Sequence, residues 1–191
     1  MIILIGGGND LHRAFKLFLS SLRGKTVVYI THAREKYDLS WIKQFVDVDL
    51  IIPENLSDLK DISQVDGLII GGGNVFRLAS EIRKSDISDW IRKQVSDGAS
   101  VIGNSAGALI LGKIIRHASY FDVLVSDESL GLDMLNGYSI WPHFLVEHLA
   151  FISDLDYPLY LIPENDFVIL YEWHDCVWKI LDIKEAKDNI F

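Results

Sequence analysis

The sequence predicts an α/β fold in three layers, a mostly parallel sheet flanked by helices, with a β-rich carboxyl-terminal third. Three observations predict it. Short β-branched runs alternate with segments of helical period, the pattern of parallel strands joined by crossover helices. With 49% hydrophobic residues, the 191-residue chain can bury one sizeable core and has little room for two, so residues 1–191 read as a single domain. Beyond about residue 116 helix signals weaken while Tyr, Trp and Val increase, which marks the change to strands and turns.

Ile2 to Ile5 reads as a first buried strand. Asn9 or Asp10 then caps a helix whose Leu11, Ala14, Phe15, Phe18 and Leu22 recur at three- and four-residue spacing, and Gly24 stops it. Thr26 to Ile30 is the next strand. Ser40 can cap a helix carrying Trp41, Phe45 and Val46, and Leu50 to Ile52 forms a third strand ended by Pro53. Gly67 to Ile70 is a strand running into Gly71-Gly72-Gly73-Asn74. Asp86 opens a helix through Ile87, Trp90, Ile91 and Val95, and Gly98 ends it. Val101-Ile102 begins another strand, and Leu159 to Ile162, Phe167 to Tyr171 and Val177 to Ile183 read as strands joined by short turns.

Composition narrows the function classes. A net charge of −9 and a pI near 5.0 argue against a phosphate-backbone partner, which needs clustered Lys and Arg, so nucleic acid is not expected. No run approaches the roughly 20 apolar residues of a membrane-spanning helix, and the amino terminus lacks the basic region of a signal peptide. One cysteine, Cys176, makes neither an internal disulfide nor a four-ligand zinc site; a cytoplasmic protein without membrane partner is the expectation. The five tryptophans read as core packing rather than a self-association surface, leaving monomer or homodimer open.

Val101-Ile102-Gly103-Asn104-Ser105-Ala106-Gly107-Ala108-Leu109 is an apolar strand followed by G-x-S-x-G and a helix-forming run, the pattern of a nucleophile elbow. A serine on so tight a turn needs small neighbours, and Gly103, Ala106 and Gly107 supply them. The turn points Ser105 Oγ out of the sheet and aims the Ala106 N–H at an oxyanion. Gly72 or Gly73, at the end of the preceding parallel strand, would face Ser105 as the second donor. The run Gly6-Gly7-Gly8 fails as a dinucleotide fingerprint because the third required glycine is Leu11.

The serine needs a base, and His12, His32, His117, His143, His148 and His174 are the candidates. His143 is well placed, because Pro142 fixes the backbone before it at the end of a strand-like run. His148 follows Glu147, but the spacing fits no zinc-protease helix, so no metal and no organic cofactor are expected. Glu164, in Pro163-Glu164-Asn165 between two apolar strands, offers an orienting carboxylate.

Gly-Gly-Gly-Asn-Val-Phe-Arg-Leu at 71 to 78, Gly-Asn-Ser-Ala-Gly-Ala at 103 to 108, Leu-Gly-Leu at 130 to 132, Pro-His-Phe at 142 to 144 and Pro-Glu-Asn at 163 to 165 resemble, in order, the aspartyl dipeptidase (peptidase E) and cyanophycinase family of serine peptidases. The resemblance implies a class I glutamine amidotransferase-like, flavodoxin-like α/β fold. It implies a Ser-His-Glu triad in which Ser105 is the nucleophile, His143 the base and acid and Glu164 the orienting carboxylate. It also implies oxyanion donors at Gly73 and Ala106. Gly72, Asn74, Asn104 and Trp141 are the expected substrate-binding residues.

The order Ser, His, Glu separates the chain from α/β-hydrolases, where the acid precedes the histidine. One departure concerns specificity: family members specific for aspartate resemble one another in an arginine after the histidine, yet His117 to Trp178 here contains no Lys or Arg. Glu147, Asp154 and Asp156 point instead to a neutral or amine-bearing substrate. The expected function is a serine peptidase, a dipeptidase or small exopeptidase acting on a small peptide. A silent binding module of the same fold and a serine hydrolase of esters or other amides are the alternatives.

Overall fold

The computed structural model describes residues 1–8, 11–36, 42, 47–125, 129–174 and 177–181. Five strands run parallel in the main sheet: β1 (Ile2–Ile5), β2 (Thr26–Ile30), β3 (Asp49–Ile51), β4 (Gly67–Ile70) and β5 (Ser100–Asn104). Two antiparallel strands, β8 (Phe167–His174) and β9 (Val177–Leu181), extend it beside β1, giving the order β3-β2-β4-β5-β1-β8-β9. The central strands β1, β2, β4 and β5 are apolar runs because they are covered on both faces.

The alternation of side chains along each strand divides the core into two layers. Ile3, Ile5, Val27, Tyr29, Ile69 and Ile102 pack against Ala14, Phe15, Phe18 and Leu19 of α1 (Leu11–Ser21). Their neighbours Ile2, Leu4, Val28, Ile30, Leu68, Ile70 and Val101 pack on the other face against α2 (Val75–Lys84), α3 (Ser88–Ser96) and α4 (Ala106–Leu109). This is the expected three-layer α/β arrangement. Among the described residues no helix is long and apolar enough to cross a membrane.

Two features differ from the sequence expectation. Helix α2 was not read from the sequence, although Asn74 caps it and Val75, Phe76, Ala79 and Ile82 form its buried face. Strand β7 (Leu159–Pro163) does not join the main sheet. It pairs in parallel with β6 (Ser139–Phe144) in a separate two-stranded sheet. The helix expected after Ser40 lies outside the described residues except at Ile42, and so do the capping positions Asn9 and Asp10 and the thiol of Cys176.

Candidate active site

Strands β4 and β5 are adjacent and parallel, pairing Ile70 with Gly103, so the glycine run after β4 and the serine after β5 leave the sheet at the same edge. Ser105 forms the turn into α4. Its N–H donates to Ile5 O at 3.0 Å, holding it to the end of β1, and its carbonyl accepts from Ala108 and Leu109 at 2.9 Å. With φ 50° and ψ −108°, Ser105 occupies a backbone region that side chains rarely adopt. A Cβ at Gly103 would overlap the carbonyl of Gly107, and one at Gly107 would overlap that of Ile70, which explains the small residues around the serine.

The structure brings His143 to Ser105: Oγ and Nε2 lie 2.8 Å apart, hydrogen-bonded. His143 sits in a bulge of β6, between Trp141 and Phe144, and takes φ 51°. Its N–H donates to Gly6 O at 2.8 Å, while Asn165 N donates to Gly7 O at 2.9 Å, so the loop after β1 ties down the ends of both strands of the small sheet. Gly7 has φ +105°, and a Cβ there would overlap the His143 ring. The glycine run rejected as a nucleotide site is thus the seat of the imidazole, a role invisible without the tertiary contact.

His117 and His32 are engaged elsewhere. His117 is buried, with Nε2 donating to Ile140 O at 2.7 Å and Nδ1 3.1 Å from Tyr157 Oη. Its ring stacks on Trp141 at 5.5 Å and 12°. Burial chiefly pushes its pKa below the ordinary value, the Ile140 hydrogen bond raises it, and the neighbouring Arg116 lowers it further. His32 Nε2 bonds to Glu54 O at 3.1 Å.

Glu164, the carboxylate implied by the resemblance, is exposed in the turn after β7, and among the described residues neither a hydrogen bond nor an ion pair joins it to His143. The carboxylate that feels His143 is Asp122. It is about half-buried, and Oδ2 accepts from Val75 N, at the start of α2, at 2.9 Å. Burial raises its pKa; the Val75 hydrogen bond and the charge of His143 oppose that rise. No local motif marks Asp122, because its relation to His143 arises only when the loop after Tyr120 folds onto the start of α2.

The donors named from the sequence divide likewise. A Cβ at Gly72 would lie 3.5 Å from Ser105 Cβ, so this loop borders the serine. The N–H groups of Gly72 and Gly73 make no hydrogen bond among the described residues, and Ala106, first in α4, has no intrahelical acceptor for its own. Asn74 is committed to structure: Oδ1 accepts from Arg77 N at 2.9 Å and Nδ2 donates to Val123 O at 2.7 Å. Asn104 is buried with its Oδ1 unpartnered beside Gly72. Trp141 is 1% exposed, its indole N–H is taken by His148 and its ring packs among His117, Tyr120 and Phe121, so it does not wall an open pocket. A Cβ at Gly73 would lie 2.5 Å from the carbonyl oxygen of Ala33 and 2.6 Å from Cγ of Arg34, so this glycine lets the loop pack closely on residues 33 and 34. Among the described residues no cluster of three or more His, Cys, Asp or Glu could hold a metal ion.

A serine hydrogen-bonded to histidine at a strand-to-helix turn, on a three-layer α/β frame, is an arrangement suited to acyl transfer. The profile of peptidase family S51 matches residues 2–154, and the chain belongs to that family. It is similar to peptidase E of Haemophilus influenzae, 28% identical over 142 residues that cover 67% of this chain and 62% of that protein. With peptidase E of Shewanella oneidensis it shares 34% identity over 109 residues, covering 57% of this chain and 42% of that protein. The matched part is therefore less than two thirds of either relative's length. Among solved structures, a Listeria monocytogenes EGD-e protein assigned provisionally to peptidase E superposes with TM-score 0.73 at 21% identity, over 95% of this chain and 98% of that one. A peptidase from an acI-B1 Actinobacterium gives 0.66 at 18%, over 94% and 86%. At these identities the structural likeness is one of fold.

Proposed function

We propose that this chain is a serine peptidase that hydrolyses small peptides through an acyl-enzyme. The carrying observation is the 2.8 Å hydrogen bond from Ser105 to His143 at the strained turn after β5. Family membership supports it. In this reading Ser105 is the nucleophile of an elbow. Its Oγ attacks the scissile carbonyl as His143 Nε2 takes the proton, and the N–H groups of Gly73 and Ala106 hold the resulting oxyanion. His143 then protonates the leaving amine, and water activated by the same nitrogen hydrolyses the acyl ester. The anionic partner of the imidazolium is Asp122 in preference to the exposed Glu164.

A dipeptidase or other small exopeptidase of neutral or amine-bearing substrates is the reading we favour, since His117 to Trp178 contributes no cation. A panel of Asp-X, Ala-X and Lys-X dipeptides decides: fastest cleavage of Asp-X overturns the neutral preference. The test of the chemistry is fluorophosphonate labelling, located by mass spectrometry, in wild type, Ser105→Ala, His143→Ala, Asp122→Asn and Glu164→Gln. The expected result is modification of Ser105 in wild type, none in Ser105→Ala, strong slowing in His143→Ala and Asp122→Asn, and little change in Glu164→Gln. A folded wild type that resists labelling favours a silent binding module, and turnover of esters without peptides favours a different acyl substrate.

A further inference from the structure

His143 holds an unfavourable backbone conformation, φ 51° within the bulge of β6, so its neighbours must over-determine its place. One atom does this on both sides. His148 closes a short helical turn, Val146–His148, and folds its ring back beneath the bulge, where it is 8% exposed. Its Nδ1 accepts from the indole N–H of Trp141 at 3.0 Å and from the backbone N–H of Leu145 at 3.1 Å. Those two donors stand two residues before and two residues after His143. Because both partners only donate, Nδ1 carries no proton and the ring proton sits on Nε2. Tyr120, at 5.3 Å edge-on, and Phe144, at 6.3 Å, enclose the ring.

We propose that His148 is a positioning residue for the base His143: its Nδ1, accepting from Trp141 and Leu145 together, pins the bulge so that His143 Nε2 stays within hydrogen-bonding distance of Ser105 Oγ. It does not touch substrate. The proposal rests on the Ser105–His143 reading. It also gives Trp141 a function, since a buried indole with its donor spent on His148 stabilises the site without lining it.

The experiment compares His148→Phe, which fills the space but cannot accept, with His148→Asn, whose carbonyl oxygen can replace Nδ1 as acceptor. Unfolding midpoints are recorded for each. The readouts are the rate constant for fluorophosphonate modification of Ser105, which needs no knowledge of the substrate, and the separate kcat and KM for the best dipeptide. His148→Phe is expected to slow modification and kcat about 100-fold, as for a reacting group misplaced by an ångström, with KM unchanged. His148→Asn is expected to recover all but about threefold of the rate by restoring the acceptor.

Wild-type rates in His148→Phe overturn the proposal. So does His148→Asn no faster than His148→Phe, which would mean that ring packing and not the acceptor matters, and so does a change confined to KM. If His148→Phe does not fold, Trp141→Phe removes one of the two donors, and an unchanged modification rate there overturns the proposal. The His143→Ala control separates the two readings: labelling there as fast as wild type removes the Ser–His reading and this proposal together, while an effect of His143→Ala with none of His148→Phe removes the proposal alone.

Discussion

Ser105 and His143 both sit at positive φ, 50° and 51°, where a side chain costs about 1–3 kcal/mol relative to an ordinary conformation. The proposed machinery is therefore built on stored strain, which can be read in stability. Ser105→Gly relieves the strain at the turn and is expected to raise the unfolding free energy by about 1 kcal/mol while abolishing labelling. Ser105→Ala keeps the Cβ, loses labelling too and should melt near wild type. Urea unfolding of the pair decides: equal stability for Gly and Ala would mean that the turn carries no such cost. Gly7 presents the converse case. At φ +105°, with the His143 ring in the space of its missing Cβ, Gly7→Ala must displace either the loop or the imidazole. It is expected to slow Ser105 labelling about 100-fold, the scale for a misplaced catalytic group. Labelling at the wild-type rate in a folded Gly7→Ala protein would show that the ring does not depend on this contact.

At the scale of elements, the central parallel strands were legible because double-sided burial writes them as short apolar runs, and Ile2–Ile5, Thr26–Ile30 and Gly67–Ile70 fall where the sequence places them. Partners were less legible than strands. Nothing local to Leu159–Pro163 says that it pairs with β6 and stays out of the main sheet, since that pairing is set by contacts far apart in sequence. For the same reason Ser105 and His143 could be named from motifs, whereas Asp122 emerges only once the fold carries its loop to the start of α2. Helix α2 was overlooked although its cap is local. Asn74, expected to bind substrate, instead satisfies Arg77 N and ties Val123 O, next to Asp122, to the start of the helix. Asn74→Ala is accordingly expected to cost about 1 kcal/mol, as loss of an N-cap does, and Asn74→Asp, which restores the acceptor for Arg77 N but cannot donate to Val123 O, to recover only part of it. Thermal melting of the two variants checks this; an Asn74→Ala protein as stable as wild type would show that the cap is dispensable.

Over the whole molecule, the site depends on how the small β6-β7 sheet is fixed to the main one, because β6 carries His143 while β5 delivers Ser105. Part of that attachment is the cluster around Trp141, where His117 stacks on the indole and joins Ile140 O to Tyr157. His117 also makes this attachment sensitive to pH. Burial lowers its pKa from the ordinary value near 6.5, so the unfolded chain takes up a proton on this residue before the folded one does. Stability from this group is thus fully present above the unfolded value and falls with pH between about 6.5 and the lower folded value. Asp122 acts in the opposite sense. Its folded pKa is raised from 3.8, so the fold gains stability as pH drops from the raised value through the ordinary one. The two contributions separate by mutation: urea unfolding of wild type and His117→Phe from about pH 7.5 to about pH 5.5 should show a loss with acid in wild type, at most about 1.4 kcal/mol per pH unit for one proton, that is reduced in the variant. The loss should be accompanied by slower labelling of Ser105 in wild type than in His117→Phe at the acid end, because loosening β6 separates the two residues. Parallel pH–stability curves for wild type and His117→Phe would place the pH sensitivity elsewhere and leave His117 with a packing role alone.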